Sequence, residues 1–280
     1  MPRVRVNGVE LHYDERGSGA ETLVFAHGLL CSRLMFRDQI DALSDTYRCI
    51  AFDFRGHGSS EATRTGYDMP TLLEDVAGLV AALGAGPCHY VGHSMGGFVG
   101  MALTLRYPDL VKSLVLVNTT ADPETFPNVL KYRALSVLAR VFGLAIALDP
   151  AMRTLFGPKF MKDPAQAERR EEWKRRLMEN RFPAAARAVS GVLGRGSLLD
   201  QLDRIAVPAL IIAGADDIAT RPSHSLRMHD RIRDSRLHVL PGVGHASTVE
   251  APETVGPLIR RFLAAVGTRS VPSPADRHPG

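Results

Sequence analysis

The sequence predicts an α/β protein with a mostly parallel central sheet, helices on both of its faces and one all-helical insertion. Three observations carry this. Short apolar runs recur along the chain, most of them without the strict alternation of half-buried strands, and segments of helical length lie between them. The rhythm fails once, between Asn118 and Pro208, where no strand is convincing and only helical pieces are found.

The chain opens with "RVRVNGVELHYDERG", in which Asn7-Gly8 separates two β-like runs, the signal for a two-residue hairpin turn. The strand candidates after it are "TLVFAH" (22–27), "CIAFDF" (49–54), "HYVGHS" (89–94), "SLVLVN" (113–118), "ALIIAG" (209–214) and "RLHVLPG" (236–242). Helices are expected over 33–43, 69–83, 95–107, 223–232 and 252–266, so the strand–helix–strand units imply right-handed crossovers. Inside the insertion, "VLKYRALSVLARVFG", "PAQAERREEWKRRLMENR" and "PAAARAVSGVLGRG" read as helical. The expected organisation is a first core segment over 1–120, a helical cap over 121–204, a second core segment over 205–267 and a solvated tail over 268–280.

With 280 residues, 45% hydrophobic and 23% charged, the chain has the composition of an ordinary globular protein. Its 34 Lys plus Arg against 30 Asp plus Glu leave a net charge of +4, too slight an excess to imply a nucleic-acid partner. Cys31, Cys49 and Cys88 have no metal-ligand spacing and read as buried thiols of a reducing compartment. "MPRVRVNGVE" has no apolar core of a secretory signal, so a cytoplasmic location is expected. The longest apolar candidate, Val137 to Leu148, contains Arg140 and falls short of the roughly 20 residues that cross a bilayer, so no membrane association is expected.

The chemistry centres on "YVGHSMGGFVG". Gly92-His93-Ser94-Met95-Gly96 fits G-x-S-x-G in the strand-to-helix context that the nucleophile elbow requires, and Gly92 and Gly96 leave room for a turn that lifts Ser94 Oγ above the sheet. A serine hydroxyl attacks poorly unless a base removes its proton, so one of the ten histidines must serve it and a further group must orient that imidazole.

Together with "HG" at 27–28, "DFRGHG" at 53–58, "GADD" at 214–217 and "GVGHA" at 242–246, the elbow resembles the α/β-hydrolase family over nearly everything from Val4 to about Val266. The resemblance implies the chain order nucleophile, acid, histidine, which leaves His224, His229, His238, His245 and His278. His278 is in the tail, His224 and His229 fall in a helix and His238 in a strand; His245, between the last strand and the final helix, matches the family's position. The family pattern G-x-x-D selects Asp217 as the acid, with adjacent Asp216 as the alternative; Asn118 occupies the site some relatives use instead, and an amide cannot stabilise imidazolium as a carboxylate does. The backbone N–H groups of Leu29 and Met95 are the oxyanion donors the resemblance implies. His27 is expected to support its loop, and Asp53, Arg55 and His57 to brace their neighbours.

The activity implied is cofactor-free, metal-free serine hydrolysis of small carboxylic esters or lactones through an acyl-enzyme. Enol-lactone hydrolysis, carbon–carbon bond hydrolysis or perhydrolysis on the same triad is the alternative, since "GHSMGG" and "VNTTADP" are somewhat similar to 3-oxoadipate enol-lactonases. A ligand-sensing receptor that keeps the pocket is an alternative of another class. Phe126, Val137, Leu138, Val141, Phe142, Leu144 and Ile146 are candidates either for the pocket ceiling or for the seam between cap and core. The Glu171/Arg175 and Glu172/Arg176 spacings mark a solvated helix.

Overall fold

A computed structural model describes residues 2–268. Eight strands form one sheet: β1 (Arg3–Val6), β2 (Val9–Arg16), β3 (Thr22–Ala26), β4 (Arg48–Phe52), β5 (Cys88–His93), β6 (Val111–Val117), β7 (Ala209–Gly214) and β8 (Ser235–Leu240), in the order β1-β2-β4-β3-β5-β6-β7-β8. The expected hairpin is present. Val6 pairs with Val9 across Asn7 (φ 45°) and Gly8 (φ 74°), the two left-handed residues that such a turn demands. β2 is antiparallel to β4, and every pairing from β4 through β8 is parallel.

Every residue of β3, β5 and β7 is buried, which is why their sequences are continuous apolar runs, whereas the edge strand β8 alternates. The sheet separates two apolar cores. Met69–Ala82, Met95–Arg106 and Pro222–Arg231 cover one face. Arg33–Leu43, a 3₁₀ turn that runs on into an α-helix, covers the other together with Pro252–Gly267. The helix Met69–Ala82 shows why its ends fall where they do: Asp68 caps it, accepting the Thr71 N–H at 3.0 Å, and Pro70 occupies its first turn, where a missing N–H costs nothing.

Between β6 and β7 the chain forms no strand. It runs instead through helices Phe126–Phe142, Ala145–Leu155, Pro158–Lys162, Ala167–Met178 and Phe182–Leu193. Ala145–Leu155 was hidden from sequence reading by Pro150 inside it and by Gly143 just before it. In Ala167–Met178, Trp173 and Leu177 face inward; Glu172 pairs with Arg176 at 2.6 Å as expected, whereas Glu171 pairs with Lys174 at 2.7 Å rather than with Arg175. The tail beyond Thr268, His278 included, lies outside the described residues. Cys31, Cys49 and Cys88 are free and buried, and burial pushes each thiol up to about 12. Among the described residues no helix is long and apolar enough to cross a membrane.

Candidate active site

Three loops at one edge of the sheet meet at Ser94. The residue turns the chain from β5 into the helix Met95–Arg106 with φ 51° and ψ −116°, a conformation that costs an L-residue about 1–3 kcal/mol and persists only where its surroundings impose it. They do so from several sides: Ser94 N–H donates to Val117 O at 3.0 Å, and Ser94 O accepts from Gly97 N at 3.0 Å and Thr119 Oγ1 at 2.6 Å. A Cβ on Gly92 would lie 2.5 Å from Gly96 O, and one on Gly96 would run into the Ala26 carbonyl, so the turn closes only over glycines.

The loop after β3 passes as close. A Cβ on Gly28 would fall 2.5 Å from His93 Nδ1 and 3.1 Å from Ser94 Cβ. His27 holds this loop rather than facing the cavity: its Nε2 accepts the Phe54 N–H at 3.0 Å, its Nδ1 donates to Gly28 O at 2.7 Å, and burial pushes it down to about 4. Leu30 is left-handed (φ 60°), and Asn180 donates to its carbonyl at 2.9 Å. Leu29 and Met95 both line the cavity beside Ser94, and among the described residues neither backbone N–H has a protein acceptor.

His245 Nε2 lies 2.9 Å from Ser94 Oγ, and His245 Nδ1 lies 2.8 Å from Asp217 Oδ2. Asp217 is buried, which raises its pKa, but the opposing pull of His245 and hydrogen bonds from Thr220 and Asn118 outweigh burial and bring it down to about 2. An ionised carboxylate only accepts, so Nδ1 carries the imidazole proton and Nε2 is left to accept from the Ser94 hydroxyl. Asp216 is exposed, with its backbone N–H tied to Val243 O at 2.9 Å, so Asp217 alone faces the imidazole.

Several supporting groups were not legible beforehand. Asn118, left-handed at φ 46°, donates to Asp217 Oδ2 at 2.9 Å and to Gly244 O at 3.1 Å, joining the acid loop to the histidine loop. Thr220 donates its hydroxyl to Asp217 Oδ2 at 2.8 Å. His93 Nε2 donates to His245 O at 2.8 Å with the two rings 4.8 Å apart, and burial drives its pKa down to about 3. Glu250 accepts the N–H groups of Gly244 and Gly157, each at 3.0 Å, tying the histidine loop to the helical segment. Spacing carries no signal for the contacts of Asn118 and His93, since they join residues far apart in the chain.

The "DFRGHG" side chains stand away from Ser94. Asp53 accepts Arg33 N–H and Nη1, both at 2.8 Å; Arg55 donates to Asp75 at 2.6 Å through Nε; and His57 Nδ1 meets Arg55 O at 3.1 Å. Among the described residues no cluster of three or more His, Cys, Asp or Glu is placed to hold a metal ion.

A cavity of about 220 Å³ opens over Ser94 and His245. Its far wall is the helical segment, but not through the side chains expected: Phe126, Val137, Leu138, Val141, Phe142 and Ile146 are exposed, and of the seven candidates only Leu144 lines the cavity. The helix Phe126–Phe142 instead turns Tyr132, Leu135, Ser136 and Ala139 inward, positions one turn apart on a single face.

Residues 21–252 match the family model described as alpha/beta hydrolase fold. The chain belongs to the α/β-hydrolase fold family. Among this family's members it is 31% identical to 2-(acetamidomethylene)succinate hydrolase of Mesorhizobium japonicum, over 94% of this chain and 95% of the relative. It is 29% identical to 3-oxoadipate enol-lactonase 2 of Acinetobacter baylyi, over 91% and 94%. A thermophilic esterase from Thermogutta terrifontis superposes with a TM-score of 0.89 at 28% identity, covering 96% of this α/β hydrolase and all of that chain.

Proposed function

We propose that this α/β hydrolase cleaves small carboxylic esters or lactones through an acyl-enzyme, with residues 121–204 acting as a cap over the core segments 1–120 and 205–267. The observation that carries the reading is the hydrogen-bonded line from Ser94 through His245 to Asp217 beneath an apolar cavity. Ser94 Oγ attacks the carbonyl carbon as His245 Nε2 takes its proton; Asp217 holds the imidazolium; the N–H groups of Leu29 and Met95 receive the developing oxyanion. The imidazolium then gives its proton to the departing alkoxide as the C–O bond breaks. Water, deprotonated by the same nitrogen, attacks the acyl carbon and returns the hydroxyl to Ser94.

The relatives' names favour a family of related reactions on this arrangement, among them hydrolysis of an enol-lactone and of 2-(acetamidomethylene)succinate. The test is covalent labelling by a fluorophosphonate with the adduct located by mass spectrometry. The label is expected on Ser94, and Ser94→Ala is expected to lower kcat by roughly 10⁴-fold or more while leaving the fold intact. Near-normal p-nitrophenyl butyrate turnover by that variant would sink the assignment.

A further inference from the structure

The cavity wall contains a partly buried ion pair that the reaction does not use. Arg195, just beyond the helix Phe182–Leu193, donates through Nη2 to Glu124 Oε2 at 3.2 Å, and the two side chains are only 9% and 15% exposed. Both line the cavity above Ser94. The guanidinium lies 5.8 Å from the ring centre of Phe98, one helical turn beyond Ser94, which places the cation near the reacting end of the site.

An arginine in this position would ordinarily be a receptor for a substrate carboxylate. Here three of its five N–H donors are already taken: Nε donates to Asp122 O at 3.0 Å, Nη1 to Val192 O at 3.1 Å and Nη2 to Glu124. Glu124 is equally engaged, since its Oε1 accepts from Asn128 Nδ2 at 2.7 Å and from Thr125 N at 3.3 Å. The pair therefore presents no net charge to the cavity. An entering carboxylate would be desolvated beside a guanidinium whose charge is already neutralised and would meet the like charge of Glu124. Lys131 also borders the cavity, but it is exposed, with its ammonium 5.5 Å from the Tyr132 ring, where water screens it. The rest of the cavity wall is mainly apolar, with Leu135, Ala139, Leu144 and Val192 among the side chains that a substrate would touch.

We propose that Glu124 is a specificity-determining residue: by occupying Arg195 it makes the cavity select uncharged acyl groups and reject those that carry a carboxylate. This rests on the hydrolase reading given above.

The test compares methyl hexanoate with monomethyl adipate, acyl groups of the same chain length that differ in a terminal methyl or carboxylate. The wild-type enzyme is expected to favour the neutral ester in kcat/KM by roughly ten- to hundredfold, the scale of one buried charged group left without partners. Glu124→Gln, which removes the negative charge opposite the guanidinium while keeping the side chain's shape, is expected to move that ratio toward the adipate ester by about tenfold or more. The double variant E124Q/R195Q, with no charge in the wall, is expected to retain the neutral preference. Equal or better turnover of the adipate ester by the wild type would overturn the proposal, and so would an unchanged ratio in folded Glu124→Gln. The same preference is read without chemistry as binding of hexanamide against adipamate to Ser94→Ala. Absent ester turnover would thus fall on the hydrolase reading, while the binding ratio still decides charge selection.

Discussion

The sheet rim and the proposed cap, the helical segment between β6 and β7, face one another across the same cavity and are built on opposite plans. At the rim, Ser94, Asp217 and His245 are fixed by hydrogen bonds that cross from loop to loop, and Asn118 alone joins two of them. In the cap, the helix Phe126–Phe142 buries only Ala139 and leaves Phe126, Val141 and Phe142 at 68% exposure or more. Polar contacts pin the cap to the core at separate points, such as Asn180 to Leu30 O and Arg169 to Asp38. The contrast separates two jobs. A reacting line tolerates errors of a fraction of an ångström and so needs directional bonds, whereas a wall that selects by size and polarity needs only surface of the right kind.

Substitutions that break the rim should be costly in rate, and those on the cap should not. Asp217→Asn leaves the shape but reverses the hydrogen-bond demand at Nδ1, so kcat is expected to fall by roughly 10⁴-fold, measured on any ester the wild type turns over. Less than a tenfold drop would mean that the carboxylate does not hold the tautomer. Asn118→Ala removes one donor to Asp217 and the link to Gly244; a loss of about ten- to hundredfold in kcat with KM little changed is the expected signature of a positioning residue. A change confined to KM would point to a binding role instead.

The fold also stores an acid sensitivity. Burial pushes His27 and His89 down to about 4 and His57 and His93 down to about 3, so the folded chain holds four neutral imidazoles that the unfolded chain would protonate below about 6.5. For these rings the unfolded state then binds more protons, and their contribution to stability falls as pH drops from about 6.5 toward those folded values; together they take up close to four protons on unfolding near about pH 5, partly offset by Glu250, which burial raises to about 7 and which releases its proton on unfolding. Denaturant midpoints that stay flat between neutrality and that pH would contradict the burial of these rings. The smallest effect belongs to the cap exterior. Phe142→Ser should shift stability by no more than about 0.5 kcal/mol and leave kcat/KM unaltered, and a larger change in either would reveal a contact that this exposed face makes in solution.

What sequence reading could and could not reach follows the same division. β3, β5 and β7 announced themselves because burial on both faces forces continuous apolar runs, and Asn7-Gly8 because few residues accept two left-handed positions in succession. Ser94, Asp217 and His245 lie together where the resemblance put them. The cap helix misled because its apolar residues outnumber its buried ones: the inward face is Tyr132, Leu135, Ser136 and Ala139, which a hydropathy pattern ranks below Val141 and Phe142. In the sequence Asn118 shows only that no carboxylate stands at its position. Its actual contacts, to Asp217 and Gly244, join residues that only the folded chain brings near each other.

The direct pairing of β6 with β7 spans the whole helical segment from Val117 to Ala209. Serine stands on one side of that long excursion, and the aspartate and histidine stand on the other. During refolding no fragment that ends before β7 carries more than the hydroxyl, and the entropy lost in drawing the two ends together grows only with the logarithm of the span. Recovery of turnover after dilution from denaturant is therefore a timer for that closure: activity should return with the slowest structural phase and never ahead of it.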